Sequence, residues 1–379
     1  MGLLDILLIS VGGIYAILEI VLTAGIASES RKRNYRKESL PDRGTNEPSV
    51  SVIVPARNEE NTIGDCLASL EKVEYPEEKL EVIVVDDHSD DNTVSIVEKF
   101  IAKNGNFSIV SLSDDKGDSG KIAALACGYK KSAGEIILQT DADCTVKPKW
   151  VRTMTAYMED NIGIIGGVTL LKNRNKTNTC FTQIQSLDWL YLLGIGAGAN
   201  SIGVPLSCFG NNLSVRKKAY EDAGGYERIP FTFTEDFALF QAITRSGWDS
   251  GFSLDQTSVV NTKPPDSFRD FMNQRLRWAH GGIKLAGPGI VLLISAFLLH
   301  VCVLAALIFE VKPSIVLAAI IVTTGSDFIF LFNLARKINR VKLLLYFPLY
   351  ELYYYLHTTF FGLMLPFAYS LSWKGRKYS

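Results

Sequence analysis

Net charge is nearly absent from this chain: 39 lysines and arginines stand against 40 aspartates and glutamates, leaving −1. Without a global field no nucleic-acid partner is expected, and basic residues matter only where they cluster. Cysteine is scarce. The six residues, Cys66, Cys127, Cys144, Cys180, Cys208 and Cys302, include no Cys-x-x-Cys pair, which argues against a thiolate metal cluster and for reduced thiols in a cytosolic domain. Internal repeats and low-complexity tracts are missing. So is a complete Walker phosphate loop: Asp114 to Lys121, DDKGDSGK, has a glycine and a closing lysine without the full spacing. What the chain has in plenty is apolar residues, 47% of 379, with a mean hydropathy of +0.14. That is too apolar for an ordinary soluble enzyme, so part of the chain is expected in a membrane.

Leu3 to Ala27 has the length and composition of a bilayer span, which makes residues 1–28 an anchor. A basic linker, 29–47, comes next with Arg31, Lys32, Arg33, Arg36 and Lys37. Charge after the apolar run, rather than before it, separates an anchor from a cleaved signal and directs the downstream residues to the cytoplasm. Residues 289–373 form a second membrane region. Gly289 to Phe309 and Ile315 to Leu334 read as spans, and Arg336, Lys337, Arg340 and Lys342 as a cytoplasmic cluster. Leu343 to Trp373 is too long for one upright helix and too short for a helical hairpin. One span with an external tail and a re-entrant or interfacial segment both remain open, and the basic tail, 374–379, favours the second. Asp327, Glu351 and His357 should face protein rather than lipid, in bundle hydrogen bonds or along a lipid path.

Residues 48–263 alternate β-branched runs with helical patterns. Val50 to Val54, Leu80 to Val85, Ser108 to Leu112 and Ile136 to Leu138 read as strands; Thr62 to Leu70, Thr93 to Ile101 and Lys121 to Lys131 read as helices. Continuous apolar strands separated by amphipathic helices imply an α/β fold with a mostly parallel sheet covered on both faces. Ligands then bind at the carboxyl ends of the strands. Polar clusters fall there: Pro55, Ala56, Arg57, Asn58 and Glu59; then Asp86 and Asp87; then Asp141 and Asp143. Singly, each has a plain structural role. Glu59 or Asn61, and Asp90 or Asp91, suit helix capping, and Asp86 and Asp87 suit a solvated turn.

Two carboxylates one residue apart on an extended chain point to opposite faces. Asp141 and Asp143 serve one ion only if the chain turns at Thr140 to Cys144. Hard oxygen ligands suit Mg2+ or Mn2+, which complete their shells with substrate phosphates, and so suggest a nucleotide diphosphate donor. Lys121 is either a phosphate contact or an ordinary helix-start lysine. Downstream, Phe181, Ile184, Leu187, Leu190 and Tyr191 form a helical stripe with Trp189, read as core or as an interfacial helix. Phe209-Gly210-Asn211-Asn212, Thr234-Glu235-Asp236 and Gln274-Arg275-Leu276-Arg277-Trp278 lie beyond it. Asp236 suits a general base, while Arg277 and Trp278 suit a diphosphate and a sugar or lipid face. Residues 264–288, which carry the last motif, read as an interfacial helix, and an anchoring role for Arg and Trp is the plain alternative.

Together, in this order, the motifs resemble the membrane-embedded inverting glycosyltransferases of family 2, with the GT-A fold. The resemblance covers Pro48 to Gly282 and is closest in type to the ceramide glucosyltransferase-like lipid glycosyltransferases. It implies donor binding by Pro55, Arg57, Glu59, Asp86, Asp87, Lys121, Asp141 and Arg277, with the base at Asp86 or Asp87 and uridine the commoner choice. It further implies metal binding by Asp141 and Asp143, catalysis by Asp236 with Glu235, and acceptor contacts from Asn211, Gln274 and Trp278. The expected reaction moves a sugar from a nucleotide diphosphate-sugar to a membrane lipid at the cytoplasmic face. A processive polysaccharide synthase and an inactive nucleotide- or lipid-binding scaffold are the alternatives.

Overall fold

The computed structural model describes residues 2–39, 47–113, 120–173, 178–229, 232, 234–282, 288–306, 308–309, 311–364, 371–373 and 376–378. In chain order its helices are α1 (Leu3–Ser39), α2 (Ile63–Leu70), α3 (Thr93–Ile101), α4 (Lys121–Lys131), α5 (Trp150–Ala156), α6 (Cys180–Ser201), α7 (Lys217–Asp222), α8 (Glu235–Arg245), α9 (Phe268–Gly282), α10 (Pro288–Ala306), α11 (Pro313–Lys337) and α12 (Phe347–Met364). Its strands are β1 (Val50–Ala56), β2 (Leu80–Asp86), β3 (Phe107–Ser111), β4 (Ile136–Gln139), β5 (Cys144–Thr145), β6 (Ile162–Gly167), β7 (Thr169–Leu171), β8 (Leu213–Arg216), β9 (Asp249–Ser253), β10 (Val260–Thr262), β11 (Leu371–Trp373) and β12 (Arg376–Tyr378). These elements form two compact units: Arg33–Asn175 with Ser207–Lys263, and Met1–Lys32 with Lys176–Leu206 and Pro264–Ser379.

The α/β unit is built on a sheet of order β3-β2-β1-β4-β8-β6-β9. β1 runs parallel to β2 and β4, β2 to β3, and β6 to β9, while β8 is antiparallel to both β4 and β6. The expected strands fall on β1 to β4 and the expected helices on α2 to α4. Val50 to Val54 are buried without a break because both faces are covered. Val52 and Val54 share a core with Ile63 and Leu67 of α2, Val97 of α3 and Trp150 of α5. Ile53 turns the other way, toward α4. There a Cβ on Gly128 would lie 2.5 Å from Ile53 Cγ2, so only glycine permits this close helix-on-sheet approach. A small second sheet, β5-β10-β7, completes the unit.

In the helical unit, Leu3–Ser28 of α1, Gly289–Ala306 of α10 and Pro313–Lys337 of α11 are long and apolar enough to cross a membrane. These are the three spans that composition called for. Leu343 to Trp373 is not one long helix: it breaks into a 3-10 turn at Val341–Tyr346, α12, and a hairpin in which β11 pairs with β12. The interval 48–263 is likewise not one compact unit, because Lys176–Leu206 belongs with the membrane-type helices. α6 is buried on nearly every side, and a helix apolar all round needs partners all round. The stripe from Ile184 to Tyr191 is therefore core. Asp327 and Glu351 are buried inside this unit, where Tyr15 donates to Asp327 (2.7 Å), Tyr191 to Glu19 (2.5 Å) and Thr324 to Glu351 (3.2 Å).

Candidate active site

The chain turns after β4 as the two-carboxylate spacing requires. Ala142 and Asp143 form the turn, closed by the Cys144 N–H donating to the Asp141 carbonyl at 3.0 Å. Lys121, the first residue of α4, lies 2.8 Å from Asp141 Oδ1 and 3.1 Å from Glu235 Oε1. Burial works against its charge, but Asp141 and then Glu235 outweigh that and hold the ammonium well above its usual pKa. The lysine therefore joins the carboxyl end of β4 to the start of α8. The remaining residues of DDKGDSGK, Asp114 to Ser119, lie outside the described residues.

Glu235 and Asp236 open α8, where negative charge is favoured by the helix dipole. Asp236 Oδ2 accepts from the Gly210 N–H at 2.7 Å and Oδ1 from the Phe237 N–H at 2.8 Å. Burial, then the charge of Glu235, raise its pKa to about 6, opposed by Lys121 and the two N–H donors.

The loops after β1 and β2 are clasped together. Arg57 donates to the Asp87 carbonyl at 3.0 Å and lies 3.5 Å from its carboxylate. The Asn58 N–H donates to Ser89 Oγ, and Asn58 Oδ1 accepts from the Asp90 N–H, both at 3.0 Å. Asn58 and His88 stand at φ of 52° and 56°, left-handed conformations at the tips of the two loops. The anticipated caps are not the N-cap residues, which are Thr62 in α2 and Asn92 in α3; Asp91, one residue before the latter, accepts from the Thr93 N–H at 2.9 Å. Glu59 instead takes the Thr62 hydroxyl, and Pro55 is half-buried in β1 opposite Val85. Asp87 also accepts from the Gly120 N–H at 3.0 Å, which ties this edge to α4. Asp86 is 4% exposed and its Oδ1 has no hydrogen-bond partner. A buried carboxylate oxygen left this way needs a donor from a ligand or water.

Asn211 is buried, its Oδ1 accepting from Thr169 at 2.9 Å. Asn212 is structural: it accepts from Trp150 Nε1 and donates to the carbonyls of Val168 and Ser258, each at 2.9 Å. Sequence reasoning passed over Gln139, at the end of β4, whose Nε2 donates to the Gly210 carbonyl at 2.8 Å. A wholly buried glutamine just before an acidic turn was the available signal.

In the helical unit, α9 carries Gln274, Arg277 and Trp278, all partly buried. The charge buried most deeply on that helix is Arg275, which sequence reasoning also passed over. It pairs with Asp188 of α6 at 2.5 Å, both side chains 2% exposed, and its guanidinium lies 4.7 Å from the Trp278 ring centroid. A lone aspartate inside an apolar helix was the signal, since a buried charge demands a partner.

A divalent cation is the cofactor the motifs imply. Among the described residues no three acid, histidine or cysteine side chains converge as metal ligands. The two oxygen-donor carboxylates on one turn fit an ion of the kind whose shell is completed by substrate phosphates.

The profile of the family described as Glycosyl transferase family 21 matches residues 6–379. Curated relatives include the probable glycosyltransferase YdaM of Bacillus subtilis, 29% identical over 239 residues, 62% of this chain and 55% of that protein. An N-acetylglucosaminyltransferase of Bradyrhizobium diazoefficiens is 30% identical over 62% of this chain and 49% of its own length. A poly-beta-1,6-N-acetyl-D-glucosamine synthase of Staphylococcus epidermidis is 26% identical over 62% and 54%. The chain thus spans about half the length of the curated relatives it matches. Among solved structures, the mannosyltransferase PcManGT from Pyrobaculum calidifontis, in complex with GDP-Man and Mn2+, aligns over 93% of this chain and 99% of its own, with a TM-score of 0.55 and 20% identity. That likeness identifies the fold as GT-A.

Proposed function

Because the chain belongs to glycosyl transferase family 21, we propose that it moves a sugar from a nucleotide diphosphate-sugar to a hydroxyl of a membrane lipid at the cytoplasmic face, inverting the anomeric centre. The observation that carries this reading is the convergence of Lys121, Asp141, Glu235 and Asp236 at the carboxyl end of β4. Asp86 Oδ1, buried and without a partner, takes an N–H of the donor base, and Arg57 and Asp87 brace the loops around it. Asp141 and Asp143 would hold Mg2+ or Mn2+ with the donor diphosphate, and such an ion neutralises charge gathering on that leaving group.

Asp236 supplies the base. Its raised pKa leaves it ionised at neutral pH yet basic enough to take a proton. As the acceptor oxygen bonds to the anomeric carbon, its proton passes to Asp236 and the bond to the diphosphate breaks. A single displacement of this kind inverts the centre without a covalent enzyme intermediate. Lys121 holds Asp141 and Glu235 in place and limits their repulsion. Motif position alone assigns Arg277 to the diphosphate and Gln274, Trp278 and Asn211 to the acceptor.

Support for a lipid acceptor comes from Leu3–Ser28, Gly289–Ala306 and Pro313–Lys337, which are long and apolar enough to place the chain among lipids. The name of the Staphylococcus relative favours polymer synthesis as the second reading. The test is mass spectrometry of products from the purified protein with a panel of UDP- and GDP-sugars, UDP-N-acetylglucosamine included, divalent metal and a lipid extract. A lipid heavier by one sugar, absent with Asp236→Asn, supports the proposal. A ladder of sugars supports the synthase, and binding of nucleotide without any product supports a scaffold.

A further inference from the structure

A buried hydrogen-bond network reaches the proposed base through Gly210. Gln139 ends β4 and is fully buried. Its Nε2 donates to the Gly210 carbonyl at 2.8 Å, and its Oε1 accepts from the hydroxyls of Tyr129 on α4 and Tyr226, each at 3.3 Å. A carbonyl only accepts, so Gly210 leaves the amide of Gln139 one orientation, and that orientation is the one both tyrosines can bond. The same glycine sends its N–H to Asp236 Oδ2 at 2.7 Å. The three groups meet so closely that a Cβ on Gly210 would lie 3.0 Å from Asp236 Cβ and 3.1 Å from Gln139 Nε2.

We propose that Gln139 is a positioning residue for the reaction: oriented by Tyr129 and Tyr226, it fixes Gly210 through the carbonyl so that the N–H of the same glycine holds Asp236 Oδ2 toward the acceptor. This rests on the reading of Asp236 as the base. Gly210 is held on both sides of its Cα, the carbonyl of the following peptide by Gln139 and the N–H of the preceding peptide by Asp236, so freeing the carbonyl removes a restraint on the N–H. Gln139 also ends the strand that leads to Asp141, and Tyr129 lies on the helix that begins with Lys121. One amide thus ties the base to the strand and the helix that carry the neighbouring charges.

Loss of the Gly210 N–H bond disfavours the ionised carboxylate. Glu235 and Lys121 at the helix starts, the Cys208 thiol and the Tyr226 hydroxyl also face Asp236; Gln139→Leu leaves the first three as they are and takes from the Tyr226 hydroxyl its acceptor. For this variant the expected result is a kcat lower by at least about tenfold, a donor KM within about twofold, and an acid limb of the kcat profile moved up by about one pH unit. Tyr129→Phe/Tyr226→Phe keeps the glutamine and frees its amide. It should give a smaller change in the same two quantities, and it decides the matter should Gln139→Leu not fold. An unmoved acid limb, or a fall in donor binding and kcat together, overturns the proposal. Asp236→Asn separates the two levels: if it stays active, the base assignment fails; if it is inactive while the limb is unmoved in the glutamine and tyrosine variants, only the positioning role fails.

Discussion

Replacing Glu235 by glutamine keeps its size and removes one negative charge beside Asp236. In the native chain burial and then that charge lift the Asp236 carboxyl from 3.8 to about 6, against Lys121 and two backbone N–H groups. The displacement corresponds to about 3 kcal/mol against the ionised form. Burial survives the substitution, so only the Coulomb share is returned, about 1 to 1.5 kcal/mol or about one pH unit. Lys121 stays in place through its 2.8 Å contact with Asp141. The proposed base must be ionised to accept a proton, so the rate should rise as pH climbs through its pKa. Initial rates of labelled sugar transfer from about pH 4.5 to 8.5, plotted as kcat/KM, report the free enzyme. The wild type should bend near 6 and Glu235→Gln near about 5. Lys121→Met, which removes the opposing charge, should bend above 6. A bend in Glu235→Gln that stays put, or that moves in the same direction as Lys121→Met, would refute the electrostatic argument.

Asp188→Ala strands the buried Arg275 guanidinium and should lower stability by about 3 to 5 kcal/mol, read from thermal unfolding in detergent. Asp86→Ala removes the free buried acceptor; donor affinity by calorimetry should fall about tenfold to a hundredfold while kcat holds. Chelation should abolish turnover, and added Mn2+ or Mg2+ should restore it in the wild type but not in Asp141→Ala. Asn212→Ala takes the partners of Trp150 Nε1 and the Ser258 carbonyl and one of the two donors to the Val168 carbonyl, and should cost at least about 2 kcal/mol in a denaturant titration.

Local pattern made the parallel half of the sheet legible. β1, β2 and β4 are runs rich in valine, isoleucine and leucine, and α2 to α4 repeat buried residues at helical spacing, so each element is encoded by neighbours a few residues apart. The other half was less legible because β6 contains three glycines and β8 is a short strand inserted antiparallel. Neither advertises a period. α6 lay inside the interval assigned to the catalytic domain, since helical spacing identifies a helix without saying which partners cover it.

From residue order came the chemistry available: acids at successive strand ends, a turn between Asp141 and Asp143, three apolar spans, and a glycosyltransferase of GT-A type, read there as family 2 where the chain belongs to family 21. These are legible there because side-chain period and bilayer length act over one element at a time. The tertiary structure decided which charges share a site. Lys121 meets Glu235, Arg275 meets Asp188, and Gln139 reaches Asp236 through one glycine. Such pairs lie far apart along the chain, and the low-dielectric interior makes each of them costly to leave unpaired, so only packing settles which groups answer one another.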